Sequence, residues 1–264
     1  MNLDTFLLSS SALGNTRKIR VYYPDDLTKR YPVLYVHDGE FCFREDTPLS
    51  YECLELDIAL KTVAQDLIIV SIEAMPWQIR TREYSPFPWI DEAQKYLPAG
   101  QELGDVYLEW LINNVKPLIE SKYPVYTDYQ HTYMMGCSLG ALISIYASAK
   151  YANLFSKIGL FSLASWGNHK ALLDYLSYRQ KDLHASYFIR VGDAEGTPRD
   201  LHKSLVNCYV PLNEDVVNHL FVISVFALGA CRFALNEQGQ ADETAAVLQF
   251  RKQSLLHLNK ASRA

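Results

Sequence analysis

The sequence has 264 residues, of which 49% are hydrophobic and 21% are charged, and its formal net charge is −5. This length and apolar content are enough for one large domain with a sizeable core, so we expect residues 1–264 to form a single domain. The negative charge argues against a nucleic-acid partner, and because no run of about 18 apolar residues is present, we expect no membrane partner.

Two features indicate a cytoplasmic location. The N-terminal stretch MNLDTFLLSSSALG lacks the basic start and the long apolar run of a signal peptide. The five cysteines are an odd number without metal-ligand spacing. They indicate reduced thiols, as is usual in the cytoplasm, rather than a disulfide framework.

Apolar runs alternate with helical patterns along most of the chain. The predicted strands are residues 6–10, 18–23, 33–36, 67–72, 131–135, 157–162 and 186–191, and the predicted helices are 49–62, 105–123, 141–150 and 171–181. Wholly apolar runs such as 33–36 are typical of strands buried on both faces of a parallel sheet. The alternation therefore predicts an α/β fold with a mainly parallel central sheet and helices on both faces.

Residues 73–104 contain four prolines and little periodicity. We predict a long loop here that covers one edge of the sheet, where long loops are more often functional than idle. Arg80 and Arg82 lie in it, and an arginine at this place could pair with an anionic group of a substrate. A surface salt bridge is the structural alternative.

The stretch Gly136-Cys137-Ser138-Leu139-Gly140 lies between a predicted strand and a predicted helix. A Gly-x-Ser-x-Gly pattern in this context is typical of a serine nucleophile on a strained turn. The two glycines let strand and helix approach closely, and the turn exposes the hydroxyl. The amide of Leu139, at the helix N-terminus, can donate to an oxyanion. A small-residue turn without a catalytic role is the alternative interpretation.

The sequence resembles the putative esterase family of α/β-hydrolases, which includes siderophore esterases and S-formylglutathione hydrolases. The matching stretches are YPVLYVHDGE (31–40), DLIIVSIEA (66–74), REYSPFPW (82–89), residues 116–166 around the serine, and VGDAEG (191–196). The resemblance implies an α/β-hydrolase fold, a serine nucleophile at Ser138, and neither a metal nor an organic cofactor. Ala141 departs from the family, which usually has a further glycine there.

The resemblance also assigns roles to other residues. The loop at Gly39 and Glu40 would supply the second oxyanion amide. The acid of the triad would be Glu195, three residues after Gly192, with Asp193 as the alternative. Trp166 could line the acyl or alcohol pocket, although core packing would equally explain a tryptophan there.

The catalytic base is harder to assign, because in this fold the histidine follows the acid in the chain. The histidines after Glu195 are His202, His219 and His257. His202 follows the acid too closely, and His257 falls in a predicted terminal helix far from the expected loop. We therefore name His219 as the base.

Two positions of the last strand remain open. If the last strand is 208–212, His219 follows it as required. If it is 220–227, the better strand by composition, Arg232 occupies the place of the histidine. Arginine stays protonated and cannot act as a general base, so that register leaves no base.

Two classes of function follow. The first is a serine hydrolase that cleaves a small-molecule carboxylic ester through a Ser-His-acid triad and an acyl-enzyme, with a thioesterase or S-formylglutathione-type hydrolase as a variant. The second is a hydrolase-fold protein that has lost its base and acts by binding. A homodimer is left open.

Overall fold

The computed structural model describes residues 2–43, 53–62, 66–94, 100–179, 183–191, 212, 215–216 and 231–234. The strands are β1 (Asn2–Ser10), β2 (Asn15–Tyr23), β3 (Val33–His37), β4 (Ile68–Ile72), β5 (Thr132–Cys137), β6 (Lys157–Phe161), β7 (Ser186–Arg190) and β8 (Cys231–Ala234). The helices are α1 (Leu56–Thr62), α2 (Trp77–Glu83), α3 (Asp91–Gln94), α4 (Gly104–Trp110), α5 (Lys116–Lys122), α6 (Leu139–Lys150) and α7 (His169–Tyr178). Short 3₁₀ turns span Gly39–Phe41 and Tyr129–His131, and a π-helical turn spans Leu111–Val115.

The strands of the described residues form one eight-stranded sheet in the order β1-β2-β4-β3-β5-β6-β7-β8. β2 runs antiparallel to β1 and β4, and every pair from β4 to β8 is parallel. The predicted mainly parallel sheet is confirmed. Because parallel strands end at the same edge, the segments that follow β3, β5, β6 and β7 meet there.

The sheet is covered on both faces, as the apolar runs predict. Alternate residues of one strand point to opposite sides, so Val33 and Tyr35 belong to one hydrophobic cluster and Leu34 and Val36 to the other. The first cluster includes residues of α4, α5, α6 and α7, and the second includes residues of α1. All five residues of β3 are buried, which explains the apolar run over 33–36 that precedes His37.

Helix α6, which follows β5, is buried along almost its whole length. Its residues from Leu139 to Ala149 are all buried, which small alanine and serine side chains allow next to the sheet. Ser144 and Ser148 satisfy their hydroxyls within the helix by donating to carbonyls one turn back. The first turn of α6 therefore has a fixed position relative to β5.

The predicted loop over residues 73–104 is partly wrong, because it contains helices α2 and α3. Pro76 is the residue before α2, and a proline is tolerated at a helix start because the amide it lacks has no intrahelical partner there. The predicted helix over 105–123 is interrupted by the π-helical turn, and α5 restarts with Pro117 as its second residue, as the proline predicts.

The position of the last described strand also differs from the prediction. The strand that pairs with β7 is β8, Cys231–Ala234, with Phe188 opposite Arg232 and Ile189 opposite Phe233. Residues 208–211 and 220–227 lie outside the described residues. Arg232 therefore lies within a strand, and β8 follows both of the strands proposed from the sequence. Neither 208–212 nor 220–227 is the last strand, so both registers are wrong. In the part of the chain described, no helix is long and apolar enough to cross a membrane.

Candidate active site

Ser138 lies between β5 and α6, at the edge of the sheet where the parallel strands end. Its backbone has φ 57° and ψ −119°, a conformation that residues other than glycine rarely adopt. Its amide donates to the carbonyl of Phe161 at 2.9 Å, and its own carbonyl accepts from Ala164 at 3.2 Å. The turn is thus held on both sides by the segment that follows β6, and the half-buried serine remains partly accessible.

Close contacts surround the two flanking glycines, with backbone atoms at Gly136 and with side-chain atoms at Gly140. A Cβ at Gly136 would lie 2.4 Å from the carbonyl carbon and oxygen of Gly140. A Cβ at Gly140 would lie 3.0 Å from Asp38 Oδ2 and 3.2 Å from His37 Cβ. The strand, the helix and the end of β3 therefore approach each other without space for side chains at these positions.

The loop after β3 reaches the same place. Gly39 begins the 3₁₀ turn, and a Cβ on it would lie 2.6 Å from the backbone nitrogen of Ile72. The carboxylate of Glu40 accepts from the amide of Ala74 at 2.9 Å. Burial raises the pKa of Glu40 above its ordinary value, and the hydrogen bond from Ala74 partly opposes this. The Glu40 side chain thus joins the end of β3 to the segment after β4.

Leu139 is the first residue of α6 and is buried. The amides of the first turn of a helix have no carbonyl partner within the helix. The Leu139 amide is therefore a hydrogen-bond donor next to Ser138. Since β3 and β5 are neighbours in the sheet, the Gly39–Glu40 loop and the Ser138–Leu139 turn lie side by side.

The guanidinium of Arg82 has a structural partner. Its Nε donates to the carbonyl of Gln101 at 2.9 Å, and its backbone carbonyl accepts from Leu103 at 2.8 Å. These bonds connect α2 with the segment that leads into α4. The role in substrate binding that the sequence suggests for Arg82 stays a prediction.

Trp166 stacks on Trp89, with ring centroids 6.0 Å apart and planes 20° apart. The backbone supports this contact, because Ile90 donates to the carbonyl of Gly167 at 2.9 Å. Trp166 is half-buried against the core, so it combines packing with partial exposure at the strand-end side of the molecule. Its place in a substrate pocket stays a prediction.

The predicted acid and base lie outside the described residues. This applies to Glu195, to its alternative Asp193, and to His219. Among the hydrogen bonds of the described residues, none involves Ser138 Oγ.

Four histidines are described. His131 and His184 precede strands β5 and β7 and so lie at the amino ends of these strands. Ser138 follows the carboxyl end of β5, at the other edge of the sheet. His37 is buried; burial lowers its pKa to about 4, and its Nδ1 lies 2.8 Å from the hydroxyl of Tyr107. His169 begins α7, and its Nδ1 lies 2.8 Å from Ser165 Oγ.

The sequence did not predict the ion pair between Asp38 and Arg80. Arg80 Nε lies 2.6 Å from Asp38 Oδ1, and Nη2 lies 2.8 Å from Oδ2. The two residues are 42 positions apart in sequence, and only the placement of α2 against the end of β3 brings them together. The described residues hold no group of three or more metal-ligating side chains.

Comparisons with known proteins identify the family. The family described as Putative esterase matches residues 10–205. A protein of Bacillus subtilis (strain 168), named as uncharacterized protein YbbA, is 30% identical over 192 residues, which are 72% of this chain and 72% of that protein.

Solved structures show the same fold. An IroE-like serine hydrolase from Shewanella oneidensis has a TM-score of 0.74 at 19% identity, covering 95% of this chain and 79% of that one. The enterobactin esterase FES from Shigella flexneri has a TM-score of 0.73 at 17% identity, covering 98% of this chain and 60% of that one. The predicted α/β-hydrolase fold is thereby confirmed.

Proposed function

The chain belongs to the Putative esterase family, and we propose that it hydrolyses carboxylic esters with Ser138 as the nucleophile. The observation that carries the proposal is the backbone of Ser138, held at φ 57° between β5 and α6 beside the Gly39–Glu40 loop. A strained conformation of a residue other than glycine persists where the surrounding structure determines it, and such residues cluster at functional sites. Two amide-bearing segments flank the hydroxyl, as acyl transfer requires.

In the proposed reaction, Ser138 Oγ attacks the ester carbonyl carbon while a base takes its proton. The amides of Leu139 and of Gly39 or Glu40 donate to the oxyanion that forms. Each such donor is typically worth about 3 kcal/mol of transition-state stabilisation. The protonated base then gives its proton to the leaving alcohol, and a water molecule, activated by the same base, releases the acid from the acyl-enzyme.

The base and the acid are proposed from their order in the chain. Glu195, or Asp193, follows β7 and would orient the histidine. His219 is the base named from the sequence, although it precedes β8 in the chain and does not follow the last described strand. Because β8 ends at Ala234, His257 is the histidine that follows the last described strand, and the order serine, acid, histidine makes it the second candidate.

The test is turnover of p-nitrophenyl acetate and butyrate. We expect Ser138→Ala to remove activity, with a loss of at least about 10³-fold. Ser162→Ala is the matched control, because Ser162 also follows a parallel strand with a positive φ, 50°. Loss of activity in Ser138→Ala with retention in Ser162→Ala supports the proposal, and equal activity of wild type and Ser138→Ala contradicts it.

The same assay assigns the triad. Variants His219→Ala, His257→Ala, Glu195→Gln and Asp193→Asn are compared, and a base is expected to cost about as much as the serine because the triad acts as a unit. If every histidine variant keeps full activity, the triad is wrong. An acyl thioester measured beside the oxygen esters separates a thioesterase from an oxygen-ester hydrolase, and an inactive but folded wild type supports the binding-protein alternative.

A further inference from the structure

The Asp38–Arg80 pair joins the loop after β3 to helix α2. It is bidentate, with both carboxylate oxygens accepting from the guanidinium, and the two side chains are only 10% and 16% exposed. A bidentate pair fixes orientation as well as distance, which a single contact between charges does not. The pair therefore determines how the β3 end lies against α2.

Asp38 itself has a strained backbone. Its φ is 57° and its ψ 49°, the left-handed region, which residues with a Cβ rarely adopt. Its amide donates to the hydroxyl of Tyr84 at 3.3 Å. Asp38 immediately precedes Gly39, so this conformation sets the direction in which the Gly39 and Glu40 amides point.

The carboxylate of Asp38 also touches helix α6. A Cβ added at Gly140 would lie 3.0 Å from Asp38 Oδ2, so this oxygen packs against the first turn of the helix. A carboxylate near a helix N-terminus is stabilised by the helix dipole. Asp38 thus connects the two segments. It belongs to the loop that carries the Gly39 and Glu40 amides, and its side chain contacts the α6 turn that carries the Leu139 amide.

Arg80 is held from its other side. Its guanidinium lies over the ring of Tyr84, 5.0 Å from the ring centre. Tyr84 is buried and contacts the rings of His37 and Tyr107. Burial alone would lower the pKa of Arg80, but the Asp38 carboxylate outweighs it and the pKa lies above its ordinary value. Arg80 remains a cation at any pH at which the protein is folded.

We propose that Asp38 and Arg80 are positioning residues that set the separation between the two oxyanion donors, the Leu139 amide and the amide of the Gly39–Glu40 loop. The inference rests on the proposed function. Neither side chain touches the substrate. Loss of the pair lets the loop and the helix turn move apart, which weakens transition-state binding more than substrate binding and so lowers kcat with little change in KM.

A role for Arg80 in binding an anionic substrate makes a different prediction. Nε and Nη2 each donate to Asp38, so the bidentate face of the guanidinium that these two nitrogens form is occupied, and the other N–H groups are those of Nη1 and the second one of Nη2. If Arg80 nevertheless bound substrate, its loss would raise KM and leave kcat. The division between kcat and KM therefore decides between the two roles.

The experiment compares Arg80→Met, Arg80→Lys and Asp38→Asn with wild type in p-nitrophenyl butyrate hydrolysis, with thermal unfolding measured on the same samples. We expect Arg80→Met to lower kcat by about 10- to 100-fold with KM within about twofold. Arg80→Lys should restore part of kcat, because lysine keeps the charge but not the bidentate contact. If Arg80→Met does not fold, Arg80→Lys carries the test with a kcat reduced by about 3- to 10-fold.

Tyr123→Phe is the control for loss of stability alone. It removes a partly buried hydrogen bond to Asp4 in β1, outside the loop after β3, and we expect kcat to stay at the wild-type value. An unchanged kcat in both Arg80 variants, or a raised KM with unchanged kcat, overturns the positioning role. Failure of the proposed function appears differently, as activity that survives Ser138→Ala, or no activity in the wild type, and either result overturns both proposals.

Discussion

The contact between Gly136 and Gly140 makes the strongest prediction about stability. In Gly136→Ala the new Cβ would lie 2.4 Å from the carbonyl carbon and oxygen of Gly140 and 2.9 Å from its Cα. These are backbone atoms, so no side-chain rotation relieves the overlap. Helix α6 and strand β5 have to separate, and they carry Ser138 between them.

The size of the effect follows from these distances. Ordinary contact begins near 3.4 Å, so the helix has to move by about 1 Å in a close-packed region. Overpacking typically costs about 1–3 kcal/mol and more where the backbone has to shift. We expect the free energy of unfolding of Gly136→Ala to fall by at least about 3 kcal/mol.

Urea unfolding measures this, and two other glycines serve as controls. Gly14 has φ +64° with nothing within 4 Å of an added Cβ, so Gly14→Ala should cost only the backbone strain of roughly 1 kcal/mol. At Gly159 the closest atom is the Met135 side-chain Cβ at 3.0 Å, so Gly159→Ala should fall between them. A stability of Gly136→Ala within about 1 kcal/mol of Gly14→Ala would refute the reasoning.

Three further predictions concern buried ionisable groups. Burial lowers the pKa of His37 to about 4, so between about pH 6.5 and 4 the unfolded chain binds more protons than the folded protein. The free energy of unfolding should therefore fall by up to about 3 kcal/mol as the pH is lowered through this window. Urea titrations at several pH values should show a smaller fall in His37→Asn. Burial lowers the pKa of Lys157 to about 8; Lys157→Met should therefore be more stable than wild type at pH 7, and the difference should shrink towards pH 10 as the unfolded lysine also loses its proton. Arg17 and Glu83 form an ion pair at 2.7 Å with both side chains 0% exposed; Arg17→Met should destabilise by about 3–5 kcal/mol, and Arg17→Met/Glu83→Gln by less, because the double variant leaves no buried charge unpaired.

The sheet was predictable because its signal is local. The strands Val33–His37 and Ile68–Ile72 are buried on both faces, and a strand in that position is apolar at most of its positions. The turn at Ser138 was predictable for a similar reason, since close backbone contact requires the glycine at 136, and the glycine at 140 lies against the side chains of Asp38 and His37.

The remaining features depend on contacts between distant parts of the chain. Cys231–Ala234 has only four residues, and it is a strand because it pairs with β7. Composition alone favours residues 220–227 as the strand. Helices α2 and α3 are short, with seven and four residues, and show too few turns for a helical period. The Asp38–Arg80 pair is formed by tertiary packing of α2, and no local pattern indicates it.

Covalent labelling with a fluorophosphonate tests the central claim most directly, because such a probe reacts with a serine only where a base and an oxyanion site activate it. The account predicts one adduct per chain by intact mass, located at Ser138 by peptide mapping. The adduct should be lost in Ser138→Ala and kept in Ser162→Ala, with both variants shown to be folded by thermal unfolding. A folded wild type that takes up no probe, or equal labelling of Ser138→Ala, would contradict the account.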